Sequence, residues 1–446
     1  MAKVALLTLG CAKNQVDSEY MMGVLEESDH ELVDSLDKAE VVIVNTCSFI
    51  TPAKEEALEV ILEVAQARKG LYPYIIVAGC LAQQHARELF SELPEVSAFI
   101  GPGAIPRLAH IIGEVLRGKR VLDVPLAGEE NYRGLPRTRL RIGPTAYLKI
   151  AEGCNNKCSY CTIPQIKGPY RSRPLEDLLT EARFLISRGA QELVLVAQDT
   201  TAYGLDLYGS LALPVLLREL AHLPGVKWLR LLYAYPTRIT PELIEVMAEE
   251  DKICRYLDLP LQHAHPEILQ AMGRPGTLEA ARKALSRLKA TLPEIALRST
   301  FIVGFPGERE THFRELLNFL EEIRFDWVGA FIFSPEEGTP ASRLPGQVPE
   351  EIKKARYERL LSHQQHITEE KNLAWVGRET EVLIEGRASL EEGEVLVGRS
   401  FRQAPEVDGV IYLKVEKSLG VRPGELVKAK LLAVKNIYDL WGQVLF

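Results

Sequence analysis

The sequence predicts a multidomain α/β protein that ends in a small β-barrel. Three observations support this fold class. Strand and helix patterns alternate over residues 1–118, the alternation restarts with six longer units after residue 144, and roughly the last seventy residues carry short β segments. We therefore expect an N-terminal parallel α/β domain at 1–118, a linker at 119–143, a partial (β/α)6 barrel with a closing helix at 144–377, and a β-barrel domain at 378–446.

The N-terminal domain is predicted from three apolar strands, at residues 4–9, 41–45 and 74–78, each followed by an amphipathic helix. Continuous apolar strands between such helices indicate a parallel sheet with helices on its faces. A cysteine lies just past the end of each strand, and we call Cys11, Cys47 and Cys80 the N-terminal trio. Because parallel strands end at one edge of a sheet, the pattern favours a shared ligand set. Three separate buried core thiols are the alternative.

Cys11 also has a second interpretation. Residues 7–11 look like the end of a bacterial lipoprotein signal, in which the cysteine would carry a lipid. The apolar run before it covers only residues 4–9 behind one lysine, whereas a signal-peptide core needs about 7–15 apolar residues. No stretch of the chain approaches the roughly 20 apolar residues of a membrane span. We therefore expect a cytoplasmic protein that has no membrane partner.

Composition restricts the class of protein further. The net charge of −8 and the isoelectric point near 5.8 argue against a protein whose main partner is a nucleic-acid backbone. Seven cysteines in 446 residues are too sparse for a disulfide scaffold, and three of them are grouped in one short loop. Cysteine chemistry at a site is therefore a better explanation for them than cross-linking.

The second half of the chain follows a different pattern. Residues 119–143 lack apolar periodicity and are rich in glycine, proline and arginine, which indicates a linker whose arginines are candidate anion contacts. Six strand–helix units then predict a partial barrel that is open on one side, with strands at 147–151, 192–197, 227–233, 256–261, 297–304 and 327–333. A polar helix at 350–377 precedes β segments at 381–384, 395–397, 410–415 and 426–434, which predict a small β-barrel.

The stretch "AEGCNNKCSYCTIP" follows the first barrel strand, at the mouth where such barrels place their sites. Its cysteines, Cys154, Cys158 and Cys161, are called the loop trio below. A zinc site would want a fourth ligand close by, usually from a second cysteine pair or a histidine pair, and none is near in the sequence. Three thiolates in one tight loop instead favour a four-iron, four-sulfide cluster that leaves one iron open.

This C-x-x-x-C-x-x-C loop at the end of the first barrel strand resembles that of the radical S-adenosylmethionine superfamily. The resemblance implies that the open iron binds the amino and carboxylate groups of S-adenosylmethionine. Reductive cleavage then gives methionine and a 5′-deoxyadenosyl radical, which abstracts hydrogen from an unactivated carbon. The protein supplies position and excludes water.

Within that superfamily, the order of domains across all 446 residues is similar to the methylthiotransferases. This resemblance implies two 4Fe–4S clusters, one on the loop trio and one on the N-terminal trio, the second of which supplies or carries sulfur. It also implies an electron donor, a sulfur donor, and no catalytic residue beyond the cluster ligands that can be named from the sequence.

Two branches of the family compete. Five stretches resemble the branch that modifies the β-carbon of an aspartate in small-subunit ribosomal protein twelve: "LGCAKNQVDSE" at 9–19, "NTCSFI" at 45–50, "LVAQDTTAYG" at 195–204, "LPLQHAHPEILQAMGRPGT" at 259–277 and "FSPEEGTPA" at 333–341. The branch that modifies an adenosine of tRNA has Gln-Met-Asn after its first cysteine, where this chain has Ala12-Lys13-Asn14. It also has Gln-Ser-Gly where this chain reads Gln262-His263-Ala264.

Charge is an independent criterion for the partner. The C-terminal module resembles a TRAM domain, which often binds RNA, yet residues 378–446 hold 10 basic and 11 acidic residues. A module that grips phosphates should be clearly basic. We therefore expect a basic ribosomal protein as the partner, with tRNA less favoured. The remaining alternatives are tRNA 2-methylthioadenosine synthesis and a two-cluster electron-transfer protein.

Further residues have both a functional and a structural interpretation. Gln198 and Asp199 end the second barrel strand, where they contact S-adenosylmethionine or serve as ordinary polar strand ends. His263 and His265 could line the pocket, but surface or loop positions are favoured. Structural roles are expected for two aromatic residues in the barrel core and for the seventh cysteine as a packed thiol (Phe331, Phe333 and Cys254).

Overall fold

The computed structural model describes residues 1–67, 74–130, 132–140, 143–391, 393–414 and 420–445. Parts of the predicted linker, at 131 and 141–142, and the predicted strand end at 415 lie outside these residues. Among the residues described, every helix is either too short or too polar to cross a membrane.

The N-terminal unit is a six-stranded, all-parallel sheet flanked by helices, in the order β2-β1-β3-β4-β5-β6. Its strands are β1 (Lys3–Thr8), β2 (Glu31–Leu32), β3 (Val41–Thr46), β4 (Tyr74–Gly79), β5 (Ala98–Ile100) and β6 (Val121–Asp123). Its helices are α1 (Ala12–Glu26), α2 (Thr51–Ala67), α3 (Cys80–Glu92) and α4 (Leu108–Leu116). The three predicted strands are confirmed to within a residue or two, and they are neighbours in the sheet.

Strand β6 corrects the prediction that residues 119–143 are only a linker. It pairs with β5 at the edge of the sheet, so the first unit extends past the boundary predicted at residue 118. The pattern was not recognisable because the strand has three residues and Leu122 is 42% exposed, as an edge strand allows. The boundaries predicted at 143/144 and 377/378 stay predictions.

The second unit is a six-stranded parallel sheet in the order β14-β13-β12-β11-β10-β7, which curves without closing. All six predicted barrel strands are present: β7 (Thr145–Lys149), β10 (Glu192–Val196), β11 (Trp228–Leu231), β12 (Ile253–Asp258), β13 (Ala296–Val303) and β14 (Trp327–Ile332). A two-stranded antiparallel sheet, β8 (Ala151–Glu152) and β9 (Arg171–Ser172), brackets the loop that follows β7. The partial barrel predicted from the sequence is thereby confirmed.

The helices of this unit are α5 (Ile163–Lys167), α6 (Leu175–Ser187), α7 (Leu205–Tyr208), α8 (Leu213–Ala221), α9 (Pro241–Glu249), α10 (Pro266–Ala271), α11 (Thr277–Thr291), α12 (Glu310–Ile323) and α13 (Glu350–Leu373). Six of them, α6, α8, α9, α11, α12 and α13, bury an apolar cluster against the outer face of the sheet. The inner face belongs to a second cluster, in which Tyr147, Tyr256 and Trp327 share a core with Val16 and Tyr20 of α1. The N-terminal unit therefore packs against the barrel interior.

Two core assignments for aromatic residues have different outcomes. Phe333 is 3% exposed, as predicted, whereas Phe331 is 49% exposed and its assignment to the barrel core was wrong. The physical reason is that β14 is the last strand of an open sheet, so it has a neighbouring strand on one side only. Cys254 is buried, as predicted for a packed thiol.

The C-terminal unit is a closed five-stranded barrel in the order β15-β16-β17-β19-β18. Its strands are β15 (Glu379–Leu390), β16 (Gly393–Arg399), β17 (Ile411–Lys414), β18 (Leu426–Val434) and β19 (Leu440–Val444). Buried ion pairs attach it to the second unit: Arg399 binds Glu192 at 2.5 Å and Arg402 binds Asp326 at 3.0 Å. The small β-barrel predicted from the sequence is confirmed, with β19 as a strand that the sequence pattern did not indicate.

Candidate functional site

The three strand ends of the N-terminal unit bring the N-terminal trio together. Cys11 immediately precedes α1, Cys47 follows β3 and Cys80 begins α3. Gly10 has φ +89°, and a Cβ there would lie 2.6 Å from the Cβ of Cys47, so the first two strand ends touch. Burial raises the pKa of the Cys80 thiol, and the charges of Cys47 and Cys11 raise it further. The predicted convergence of these thiols is therefore present in the fold.

Two asparagines hold these strand ends in register. The side chain of Asn14 donates to the carbonyl oxygen of Leu9 at 2.6 Å, and the side chain of Asn45 donates to the carbonyl of Asn14 at 3.0 Å and to the hydroxyl of Ser18 at 2.8 Å. Both asparagines are buried. They were not among the predicted site residues, and their positions three residues after Cys11 and two residues before Cys47 are the sequence signal that could have found them.

The loop trio is fixed by backbone contacts on both sides. Gly153 has φ +80°, and a Cβ there would lie 2.1 Å from the carbonyl oxygen of Pro169. The N–H of Cys154 donates to the carbonyl of Gly168 at 3.2 Å, and that of Cys161 donates to the carbonyl of Cys158 at 3.2 Å. The loop is therefore a tight, braced turn at the carboxyl end of β7 and β8.

Electrostatics of the loop trio favour a bound cation or a neutral thiol. Burial raises the pKa of Cys154 to about 11 and that of Cys161 to about 12. Arg274 donates to the sulfur of Cys158 at 3.6 Å and lies over the ring of Tyr235, 4.3 Å from its centroid. A metal is the usual means by which buried thiols become thiolates, because it supplies the missing positive charge.

Sulfur spacing distinguishes a single metal ion from a cluster. Across the described residues, each trio has at least one pair of sulfur atoms more than 4.8 Å apart. Three thiolates on one tetrahedral zinc would be about 3.8 Å apart, given zinc–sulfur bonds near 2.3 Å. The wider spacing fits a multi-iron cluster, in which each thiolate binds a different iron.

A small cavity adjoins the loop trio. Cys154, Asn156, Asp199 and Arg238 are among the residues that line it, and its volume is about 100 Å³. Arg238 donates to the carboxylate of Asp199 at 2.5 Å, and Asn156 donates to the same carboxylate at 2.9 Å. Of the two strand-end residues singled out in the sequence, Asp199 is therefore on the cavity wall.

Gln198, the other strand-end residue, donates to Glu152 instead. Glu152 belongs to a buried ion network with Asp17 of α1, Lys149 of β7 and Lys167 of α5. Burial raises the pKa of Glu152, but the charges of Lys149 and Lys167 outweigh it and hold this pKa below its usual range. We call these four residues the junction network, because they join the N-terminal unit to the barrel.

Comparison with protein families assigns the three units separately. Residues 3–101 match an uncharacterized protein family, UPF0004, residues 148–320 match the radical SAM superfamily, and residues 376–445 match the TRAM domain. The loop trio lies in the second of these regions.

Curated relatives match the chain as a whole. A protein of Moorella thermoacetica named ribosomal protein uS12 methylthiotransferase RimO is 61% identical over 100% of both chains. A protein of the same name from Pelotomaculum thermopropionicum is 47% identical over 99% of each chain. The chain belongs to the RimO methylthiotransferase family. It is therefore a radical S-adenosylmethionine enzyme, and the alternative of a two-cluster electron carrier is set aside.

Solved structures place the RimO-family chain among radical enzymes by fold. TsrM, a radical S-adenosylmethionine methyltransferase from Kitasatospora setae, aligns with a TM-score of 0.54 over 76% of this chain and 75% of that chain, at 17% identity. At this identity the likeness establishes the fold alone. Membership of the radical superfamily, taken with the matched RimO relatives, implies a 4Fe–4S cluster and S-adenosylmethionine as cofactors.

The histidines of the RimO-family stretch at 259–277 have separate outcomes. His263 is fully buried, its Nδ1 accepts the N–H of His265 at 3.0 Å, and its Nε2 lies 3.5 Å from Glu308. Of the favoured surface or loop positions, His263 occupies a loop, and this loop position is buried. Gln262 explains this, because its φ of +75° and its bridge to Phe301 turn the chain inward. His265 is half-buried at the start of α10.

One further group of side chains has the spacing of a metal site. The ligand atoms of His265, Glu267 and His312 lie within 4.8 Å of one another. However, Nδ1 of His265 accepts the N–H of Glu267, and Nδ1 of His312 accepts the N–H of Arg309. A nitrogen that accepts is deprotonated, so the ring proton of each neutral histidine is on Nε2, the atom that a metal would need. We therefore interpret these three residues as a hydrogen-bonded cluster and not as a metal site.

Proposed function

We propose that this protein adds a methylthio group to the β-carbon of an aspartate in ribosomal protein uS12, with S-adenosylmethionine and two 4Fe–4S clusters as cofactors. The observation that carries the proposal is the 61% identity, over the full length of both chains, with a protein named for that substrate. The acidic net charge of −8 supports a basic protein as the partner. A ribosomal substrate also supports a place of action in the cytoplasm.

The residues proposed to hold the clusters are the loop trio for one and the N-terminal trio for the other. Their sulfur spacing is too wide for one zinc ion each, and helix α5, which follows Cys161, packs against α3, which begins at Cys80. When bound, a cluster with an open iron supplies the electron for cleavage of S-adenosylmethionine. A sulfur donor and an electron donor are expected as further partners.

The chain's own residues are proposed to bind and orient the reactants. Asp199 and Asn156 offer hydrogen-bonding atoms on the cavity wall beside Cys154, where the amino-acid end of S-adenosylmethionine would be held. Arg238 fixes both side chains, since it donates to Asp199 and to the Asn156 oxygen. Gln198 is proposed as a positioning residue, because it contacts Glu152 and is not among the residues that line the cavity.

The test is an anaerobic competition between two substrates. Reconstituted enzyme receives S-adenosylmethionine, reductant and sulfide together with unmodified uS12 and unmodified tRNA, and mass spectrometry examines both. We expect methylthio addition to an aspartate of uS12 alone. Addition to tRNA alone would overturn the substrate and leave the two-cluster chemistry standing.

Two variants act as controls for that experiment. Cys158→Ala should abolish modification of either substrate, because it removes a proposed ligand of the radical cluster. Cys254→Ala should keep the activity, because this buried thiol belongs to neither trio. Equal activity of the two variants would contradict the proposed role of the loop trio.

A further inference from the structure

Lys13 carries a positive charge from the N-terminal unit to the mouth of the barrel. It is the second residue of α1 and is half-buried. Its ammonium nitrogen lies 3.7 Å from the centroid of the Tyr233 ring. Because Tyr233 lies two residues past the end of β11, this contact places the ammonium at the carboxyl ends of the barrel strands, where such barrels have their sites.

The backbone of Tyr233 is held in an unusual conformation. Its φ is +59°, in the left-handed region that bulky side chains rarely adopt. Its N–H donates to the carboxylate of Asp258 at 3.0 Å, and its carbonyl accepts the N–H of Thr200 at 3.1 Å. Strain that neighbouring elements hold in place is typical of functional sites. The ends of the two neighbouring strands therefore fix the ring that Lys13 contacts.

The short segment from Tyr233 to Tyr235 connects the surroundings of the two trios. At one end, Tyr233 contacts Lys13, which lies two residues after a cysteine of the N-terminal trio. At the other end, Arg274 lies 4.3 Å from the centroid of the Tyr235 ring and donates to the sulfur of Cys158 at 3.6 Å. A reactant held between the two trios would therefore be close to Lys13.

The charge of Lys13 is not neutralised within the part of the chain that the structure describes. No carboxylate oxygen of these residues lies within 4.0 Å of its ammonium nitrogen, whereas the buried Lys149 and Lys167 each pair with Asp17 and Glu152. An aromatic face attracts a cation without cancelling its charge. Lys13 is therefore available to a negatively charged ligand.

We propose that Lys13 binds the side-chain carboxylate of the substrate aspartate and so makes the reaction specific for an acidic side chain. This inference rests on the proposed function, which supplies the substrate. The β-carbon of an aspartate is bonded directly to its carboxylate carbon, so a charge-assisted hydrogen bond to the carboxylate would position the β-carbon between the two trios. Lys13 is also a position at which this chain differs from the tRNA branch, whose Gln-Met-Asn has methionine there. A nucleobase has no carboxylate to bind.

The experiment is a double-mutant cycle between enzyme and substrate. The full chain, reconstituted anaerobically with iron and sulfide, is titrated with unmodified uS12 and with uS12 in which the modified aspartate is replaced by asparagine. Calorimetry without reductant gives the dissociation constants in the absence of turnover, and iron content is measured for each enzyme. The enzymes are the wild type, Lys13→Met, Lys13→Arg and the control Lys38→Met. Lys38 is an exposed lysine that precedes β3, at the opposite edge of the same sheet.

The wild type and Lys38→Met should bind the aspartate form at least about tenfold more tightly than the asparagine form, because the latter lacks the charged acceptor. Lys13→Met should bind both forms equally, and Lys13→Arg should retain part of the preference. A full preference in Lys13→Met would overturn the inference, because Lys13 would then act on both forms alike, as a charge that only balances a cluster does.

Two further outcomes separate this inference from the proposed function. Loss of iron from Lys13→Met but not from Lys38→Met would overturn the inference, because the lysine would then serve the cluster. Equal binding of both uS12 forms by the wild type would also overturn it and leave the proposed function standing. Failure of the wild type to bind uS12 at all would overturn both.

Discussion

The two cysteine trios are assembled from the chain in different ways. The loop trio comes from one eight-residue turn whose shape is fixed by contacts such as Cys161 to Cys158. The N-terminal trio comes from three strands, and its geometry depends on the parallel register of β1, β3 and β4. A local loop keeps its shape when the rest of the molecule loosens, whereas a site built from separate strands is sensitive to every contact that holds the sheet and its neighbours.

The largest expected contrast comes from removing one cysteine of each trio. Cys158→Ala should abolish both cleavage of S-adenosylmethionine and thiolation, while Cys47→Ala should abolish thiolation and keep cleavage. Each should lose about half of the bound iron, since each trio is proposed to hold one of two clusters. The measurements are 5′-deoxyadenosine formation, product mass and iron content. Loss of both activities in Cys47→Ala would contradict the division of roles between the trios.

Substitution of one glycine beside each trio should disturb that trio alone, without changing any proposed ligand. Gly10→Ala would place a Cβ 2.6 Å from that of Cys47, and Gly153→Ala would place one 2.1 Å from the oxygen of Pro169, both at positive φ. Each variant should lose iron from its own trio only, as measured by iron content and by 5′-deoxyadenosine formation. The control is Gly189→Ala, which has φ +92° but open space around it and should cost only about 1 kcal/mol. If Gly189→Ala lost as much iron as the others, backbone strain at positive φ would explain the effect, and the close contacts of the added Cβ would not.

The junction between the N-terminal unit and the barrel should matter mainly for the N-terminal trio. Glu181 of α6 accepts from Tyr20 of α1 at 2.8 Å and pairs with Arg173 at 2.5 Å. Burial raises the pKa of Glu181, but the charges of Arg173 and Arg137 outweigh it and bring it from 4.5 to about 2. Glu181→Gln should therefore lower the free energy of unfolding by about 3 kcal/mol at neutral pH.

The same shift sets the pH dependence. Because the folded-state pKa is depressed, the stabilisation by Glu181 is present above about pH 4.5 and is lost as the pH falls towards 2. Denaturant unfolding of the metal-free protein should show the difference between wild type and variant shrinking over that range. Glu176→Gln, an exposed carboxylate on the same helix, is the control and should cost less than about 1 kcal/mol. A difference that stayed constant with pH would rule out the carboxylate as its cause.

The smallest expected effect is at the contact between α2 and the loop after β14. Glu336 accepts the N–H of Thr51 at 2.7 Å and pairs with Lys54 at 2.7 Å, so it caps the helix that follows Cys47. Glu336→Gln should cost about 1 kcal/mol in unfolding free energy and slightly reduce thiolation without changing cleavage. The neighbouring exposed Glu337→Gln should leave both unchanged. Equal effects of the two would show that the contact contributes nothing specific.

Sequence patterns were sufficient where the signal is local. The six barrel strands and the three N-terminal strands follow from runs of apolar residues between amphipathic helices. Strand β6 was missed because it is an edge strand of only three residues. The exposure of Phe331 was missed because β14, although apolar throughout, is an edge strand with one neighbour. The burial of the loop residue His263 was not predicted, because it depends on the turn at Gln262, which no residue pattern announces.

The sequence by itself determined the order of the units, the spacing of the loop trio and the strand-end position of each N-terminal cysteine. Each of these is a property of neighbouring residues, which periodicity and spacing record directly. Only the tertiary structure decided that Lys167 is buried in ion pairs with Asp17 and Glu152. It also decided that Asn14 and Asn45 lock two strand ends and that Asp199, and not Gln198, lines the cavity. These depend on contacts between residues far apart in the chain, and such contacts form only when the units pack and exclude water.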